Sequence, residues 1–294
     1  MFPGASSSNG RPSTSSWSRV TGRDQVRFFL AGRDQTVDDV ERRDENQRRQ
    51  RALVLGAIPP PWRRATVDRD DLDRFLFEPD DIVVALGQDG LVANVAKYLN
   101  GQPVIGLNPE PDRHPGVLVR HAPAAAGDLI RDLVRGTASL QARTMVEATV
   151  DDGQRLLALN DVFVGHVSHQ SARYEIRLGD RRERQSSSGV VISTGTGATG
   201  WAASLHRQRD SPLVLPGPED RRLAFFVREP WPSPASATEL TEGLLDAGAL
   251  LKIRCENPDH GVIFGDGIEA DRILLDWGQQ VVIAPAADTL SLVG

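Results

Sequence analysis

The chain is poor in cysteine and in lysine, and each shortage removes a class of function. A single cysteine, Cys255, excludes an internal disulfide framework and fits a reducing compartment. Only two of the 34 basic residues are lysines, Lys97 and Lys252, and neither follows a glycine. A phosphate-binding P-loop needs the Gly-Lys pair, so a nucleotide triphosphate would have to sit in a different cradle. No run of about 18 apolar residues exists, which excludes a membrane-spanning helix on sequence grounds. The net charge is −6, and a nucleic-acid or anionic-membrane surface needs concentrated positive charge. Neither nucleic acid nor membrane is therefore expected as a partner.

The 294 residues that remain to be explained are 39% hydrophobic and 25% charged, ordinary for a soluble globular chain of one large or two smaller domains. Residues 1–20 are rich in Ser, Gly and Pro with no apolar core, and read as a disordered tail rather than a signal peptide. Thr36 to Arg51 mixes both charges and reads as a solvated helix, closed by the prolines of "AIPPPW" at 57–62. A short helix is expected over Asp71 to Phe77. "DIVVAL" (81–86) then predicts a strand buried on both faces, "LVANVAKYL" (91–99) a helix, and "GQPVIGLN" (101–108) a second buried strand. Strand, Gly-rich turn, helix and strand in that order make a βαβ unit with parallel strands.

Beyond residue 116 the texture changes. After one helix near Ala124 to Arg135, short strand-like runs alternate with turn residues at 140–150, 155–165, 172–178, 189–194, 221–228, 249–255, 262–264 and 280–284. Such spacing predicts an antiparallel sandwich or barrel-like unit.

Two glycine-rich stretches carry the chemistry. "STGTGATGW" (193–201) contains G-x-G-x-x-G at Gly195, Gly197 and Gly200. A dinucleotide-binding βαβ turn needs a long helix after it and an acidic residue about 20 positions on. Glu219 and Asp220 meet the second condition, but "RDSPLVLPGP" leaves the helix little room and the surroundings read as antiparallel. "GQDGL" (87–91) ends the first buried strand, the edge where open α/β sheets bind ligands. Gly87 and Gly90 let the backbone turn and approach a phosphate, and Asp89 sets one carboxylate at the tip. The rival reading of Asp89 is a helix cap. His166 and His169 lie three apart on an expected strand, where side chains face opposite ways, so no metal site is expected there. Cys255 is expected to pack as a small hydrophobe.

Three ordered motifs, "GQDGL" (87–91), "ALNDV" (158–162) and "STGTGATGW" (193–201), resemble the NAD kinase family's G-G-D-G-T, N-E/N-D and S-T-P-T-G-S-T-A-Y, at about the family's spacing. "PVIGLNPEPDR" (103–113), "SSG" (187–189), "VREP" (227–230) and the "GDG" of 265–267 extend the likeness, closest to the mitochondrial-type branch. The resemblance covers roughly residues 80 to 294. It implies an α/β plus β fold of two domains: an α/β nucleotide-binding domain over 21–115, completed by about 270–294, and a β-rich substrate domain over 116–269.

It also implies an ATP-dependent phosphotransferase that turns NAD into NADP, with ATP as donor, Mg²⁺ bridging phosphates, and a cytoplasmic homodimer or homotetramer. Asp89 matches the catalytic Asp, while Gly87, Gln88 and Gly90 match the phosphate loop. Asn160 and Asp161 match the dinucleotide-contacting pair, whose alternative is an Asx-turn at a strand start. Thr196, Thr199, Trp201 and Ser204 match the substrate loop, with Trp201 in the place of a Tyr. Arg228 and Glu229 are open between a structural ion pair and a partner contact. Gln88 and Leu91 depart from the family's Gly and Thr, and Ser188 stands where many members carry Asp. A dinucleotide sensor without activity, or a lipid-type kinase sharing the donor loop, are the rivals.

Overall fold

The structure is a computed structural model, and it describes residues 36–113 and 115–294; the expected tail at 1–20 lies outside them. Helix α1 (Val37–Ala57) opens with a capping box, in which Thr36 and Asp39 satisfy each other's backbone N–H groups. Only Val54 of α1 is buried, as its mixed-charge sequence predicts. Its C-terminal end packs with Ile105, Leu107, Ile130 and Val293. The expected helix at 71–77 is a 3-10 turn over Arg69–Arg74.

Strand β1 (Val83–Leu86), helix α2 (Asp89–Ala96) and strand β2 (Pro103–Leu107) form the βαβ unit, with β1 and β2 parallel and Val84 opposite Ile105. β1 corrects the expectation of burial on both faces, since only Ala85 of the strand is buried. The reason is position: among the described residues β1 has one neighbour, β2, whereas β2 lies between β1 and the last strand. After helix α3 (Ala126–Arg135) the chain is built from strands β3 (Leu140–Val150), β4 (Arg155–Ala158), β5 (Asp161–His166), β6 (Ala172–Leu178), β7 (Arg181–Ser187) and β8 (Val190–Ser193). Helix α4 (Trp201–Arg209) interrupts them. Strands β9 (Leu223–Val227), β10 (Glu242–Leu245), β11 (Leu251–Cys255), β12 (Gly261–Gly265), β13 (Ile268–Leu275) and β14 (Gln280–Val293) follow.

Two sheets result: a mixed eight-stranded one running β1-β2-β14-β11-β6-β7 with β3 paired to β14 and β4 paired to β3, and an antiparallel six-stranded one in the order β10-β9-β8-β5-β12-β13. The molecule is therefore an α/β unit joined to a β-rich sandwich. β14 is the seam, parallel to β2 at Ser291 and Leu292 and antiparallel to β3 along most of its length.

Alternation decides which side chains meet inside. Val162, Val164, Val190, Ile192, Leu223 and Phe225 face Ile176, Ile253 and Ile283 across the sandwich, while Phe163, Val191, Ala224 and Phe226 face outward under α4. Burying a phenylalanine such as Phe225 contributes roughly 2–3 kcal/mol. Among the described residues, no helix is long and apolar enough to cross a membrane.

Candidate active site

Asp89 occupies the first turn of α2, one residue after Gln88, the residue that begins the helix and whose exposed side chain makes no capping bond. The Asp89 carboxylate does not cap α2. It accepts three consecutive backbone N–H groups from a separate segment: Val117 on Oδ2 at 2.8 Å, and Leu118 and Val119 on Oδ1 at 2.8 and 3.0 Å. A carboxylate offers about four acceptor positions, so one remains, on Oδ2. Gly87 donates its N–H to Leu107, locking the turn to β2. A Cβ at Gly90 would meet open space.

A second aspartate repeats the device. Asp266, in the left-handed turn of "GDG" between β12 and β13, accepts the N–H groups of Leu159, Asn160 and Asp161 at 3.0, 2.6 and 3.4 Å. It thereby holds the Asn160 turn at the start of β5. Burial pushes the Asp266 carboxyl above the usual carboxylate range. Asp161 is buried too, and desolvation followed by the Asp266 charge pushes it up to about 7. No hydrogen bond reaches the Asp161 carboxylate from the described residues, so a carboxyl group that is part-protonated near neutrality sits beside the Asn160 amide.

The Gly/Thr loop interlocks with that turn. Thr194 donates through Oγ1 to the Leu159 carbonyl at 2.6 Å and through its backbone N–H to the Asn160 carbonyl at 2.9 Å. Gly197 packs so closely on Asn160 that a Cβ would lie 2.2 Å from its carbonyl oxygen, and one at Gly195 would lie 1.8 Å from that of Gly217. The first two glycines of G-x-G-x-x-G thus serve backbone-on-backbone contact, and α4 after them spans only nine residues. Thr196 is buried, whereas Thr199 and Ser204 are exposed, with hydroxyls donating to the Thr196 and Gly200 carbonyls. Trp201 stacks on Phe163 at 5.8 Å between centroids, and the Arg228 guanidinium lies 5.3 Å from the Trp201 ring centroid. Arg228 also pairs with its neighbour Glu229 at 3.6 Å, the structural ion pair that was one of the two readings.

One apolar cluster joins the motifs. Val92 and Ala93 of α2, Leu118 and Val119 of the segment held by Asp89, and Leu159 beside Asn160 pack together with Met145 and Leu292. The Asp89 turn and the Asn160 turn are consequently mounted on one rigid body.

Arg143 of β3 is the residue that sequence reading missed. It is fully buried, donates through Nη1 to Thr196 Oγ1 at 3.3 Å and through Nη2 to Gln141 at 2.9 Å, and leaves Nε without a partner. No carboxylate of the described residues pairs with it. Burial first, and Arg120 second, push its guanidinium below the usual arginine range, with Glu219 and Asp89 opposing. It is a positioning residue, tying the Gly/Thr loop to β3 on the side of Asp89. The only signal in the sequence was an arginine in a strand run, between Ala142 and Thr144.

Among the described residues no three His, Cys, Asp or Glu side chains gather as a metal site. β5 ends at His166, whose Nδ1 accepts from Ser168, so His169 lies beyond the strand where it had been placed. Cys255 is buried in the sandwich, as expected.

Fold and site together define a class: an α/β unit with a Gly-Asp turn, clamped to a β-sandwich that presents an Asn-Asp turn and a Gly/Thr loop. No family model matches the chain. Curated proteins do. The NAD kinase of Chlorobaculum tepidum is 30% identical over 139 residues, covering 46% of this chain and 47% of that protein. The NAD kinase of Chloroherpeton thalassium is 25% identical over 74% of each. The rat protein named NAD kinase 2, mitochondrial, is 28% identical over 56% of this chain and 57% of its own length. The chain spans about half the length of the first of these relatives. Over these stretches the chain is similar to proteins named NAD kinase.

Proposed function

We propose that the chain is an NAD kinase, transferring the γ-phosphoryl of ATP to the 2′-hydroxyl of the adenosine ribose of NAD, and that it has the detailed two-domain fold of that family. The observation that supports this reading most is the single free acceptor position of Asp89, on Oδ2, in a carboxylate otherwise immobilised by three N–H groups. In the transfer, the 2′-oxygen forms its bond to the γ-phosphorus as the bond from that phosphorus to the β–γ bridging oxygen breaks, and ADP leaves. The hydroxyl proton passes to Oδ2 of Asp89. Fixing the carboxylate beforehand avoids reorganisation as the reaction proceeds.

Asn160 and Asp161 offer both a donor amide and a carboxyl that carries a proton part of the time, suited to the nitrogen and hydroxyl pattern of adenosine. Thr199 and Ser204 are the exposed hydroxyls of the loop, and Thr196, held by Arg143, sets its path. Gly87, Gln88 and Gly90 would line the phosphates with backbone N–H groups and one neutral amide. Mg²⁺ would supply charge neutralisation on the phosphates, held by nucleotide oxygens and water, because Asp89 has only one position left and no cluster of ligands stands among the described residues. A cytoplasmic homodimer or homotetramer belongs to the same proposal.

The test is purified protein with ATP, Mg²⁺ and NAD, followed by an NADP-specific dehydrogenase to read the product. Protein that binds NAD yet forms no NADP with ATP or polyphosphate is a sensor, and the kinase reading fails.

A further inference from the structure

The outer face of the eight-stranded sheet carries cations in an arrangement that the fold does not require. In β6, Tyr174 and Ile176 point into the sandwich, so Glu175 and Arg177 point out; in β11, Leu251 and Ile253 point in, so Lys252 and Arg254 point out. The register sets Arg182, Arg177 and Lys252 directly opposite one another on β7, β6 and β11. Like charges directly opposite one another are destabilising. In a chain of net charge −6, such a row does not come from a basic composition.

The nearby carboxylates do not neutralise it. Glu175 pairs with Arg182 at 2.5 Å, and Glu256 pairs with Arg184 at 3.1 Å. Among the described residues, no carboxylate lies within ion-pair distance of Arg177, Lys252 or Arg254. These three, with Glu175, Arg182 and Gln280, line a recess of about 140 Å³, roomy enough for a phosphate group. A second recess, of about 510 Å³, shares Arg177 and Lys252 with the first. It continues over Leu178, Leu244, Ala249 and Leu250, with Asp246 also on its wall, and Leu250 is 44% exposed. Cations thus stand where the two recesses meet, and leucines line the larger one.

We propose that this face binds a phosphate monoester with a planar or apolar body, a ligand of mononucleotide size. Arg177 can take two phosphate oxygens side by side and Lys252 supplies a point charge, while the leucines cover the body. The site is separate from the one described above. Its cations stand on the outer face of the eight-stranded sheet, whereas Trp201 and α4 pack on the outer face of the six-stranded sheet.

The experiment is calorimetric titration of AMP into the full chain and into Lys252→Gln, with adenosine and inorganic phosphate as separate arms. The wild type is expected to show a binding event that weakens at least tenfold in Lys252→Gln, with adenosine and phosphate each binding more weakly than AMP. Both proteins are expected to form NADP at equal rates, since Lys252 is remote from Asp89. Identical AMP isotherms in the two proteins would overturn the proposal, and so would phosphate binding as tightly as AMP, because the leucine recess would then do nothing. Should Lys252→Gln fail to fold by circular dichroism, the exposed Arg177→Gln serves in its place with the same expectations. Absence of NADP formation in the wild type bears on the kinase reading and leaves this site standing or falling by its own isotherms.

Discussion

Replacing Asp161 by asparagine should make the protein more stable at pH 8 and leave it nearly unchanged at pH 4. Asp161 is buried, receives no side-chain hydrogen bond from the described residues, and lies close enough to Asp266 to feel its charge. Its pKa is pushed from 3.8 to about 7. Between those values the folded protein binds a proton that the unfolded chain has released, so stability falls as pH rises through about 4 to 7 and then levels off. A shift of this size at 1.36 kcal/mol per unit gives a cost of about 4 kcal/mol at pH 8. Asparagine is close to isosteric and carries no charge to desolvate, so the variant avoids that cost. With a transition that moves about 2 °C per kcal/mol in a chain of this size, the expected rise is roughly 8 °C at pH 8. Thermal melts of both proteins from pH 4 to pH 8 measure the difference, and titrations common to both cancel. A variant with the same pH slope as the wild type would refute the reasoning, because Asp161 would then titrate like an exposed carboxylate.

Four further outcomes follow from the site. Asp89→Asn should lower turnover by about 10² or more, and also lower the melting temperature, because an amide N–H would oppose one of the three N–H groups that Asp89 accepts; retention of most of the turnover removes Asp89 from the chemistry. Arg143→Met should leave stability unchanged or improved, since it removes a buried guanidinium with an unpartnered Nε, yet raise the KM for NAD; Arg143→Lys should restore part of it, and a loss of stability without a change in KM would reduce Arg143 to packing. Trp201→Ala should raise the KM for NAD and leave that for ATP little changed, and equal rises in both would show that the loop is not specific to the acceptor. Gln88→Gly should be tolerated while Gln88→Glu repels the phosphates and is strongly harmful, with NADP formation in the presence and absence of EDTA as the measurement.

Periodicity recovered the elements whose side chains alternate or whose runs are purely apolar. β6, β8, β9, β11 and β12 lie within a residue or two of where their apolar residues predict them. β7 was invisible because "RRERQSS" has no apolar residue; it ends the eight-stranded sheet and turns arginines outward, with Gln185 and Ser187 as its buried side chains. β13 was missed for a related reason: its first half is an exposed hairpin arm and only Ile273 and Leu275 reach the core. β14 was read as five residues and spans 14, because Pro285 and the irregular register between Pro285 and Thr289 break the pattern partway along. Local pattern sees a strand through its core-facing residues, so a strand with few of them leaves no trace.

The site divides along the same line. Motif order singled out Asp89, Asn160, Asp161 and the Gly/Thr loop as candidates, because their residue types are unusual wherever they stand. What each group touches was not legible, since that depends on segments distant in the chain. Asp89 holds residues 117–119 and Asp266 holds residues 159–161, so two aspartates in Gly-Asp-Gly-like turns do the same physical work for the two halves of the site. Each satisfies three backbone N–H groups, and an unpaired buried N–H costs about 1–3 kcal/mol. Asp89 and Gln88 therefore differ in what the fold asks of them. The Asp89 carboxylate is needed to fold the loop whatever its part in chemistry, whereas Gln88 is exposed and bears on no such bond. Survival of the aspartate alone therefore does not separate an active kinase from a dinucleotide sensor. The separation has to come from Asp89 Oδ2, the one acceptor position that folding leaves unused, and from whether a ribose hydroxyl loses its proton there.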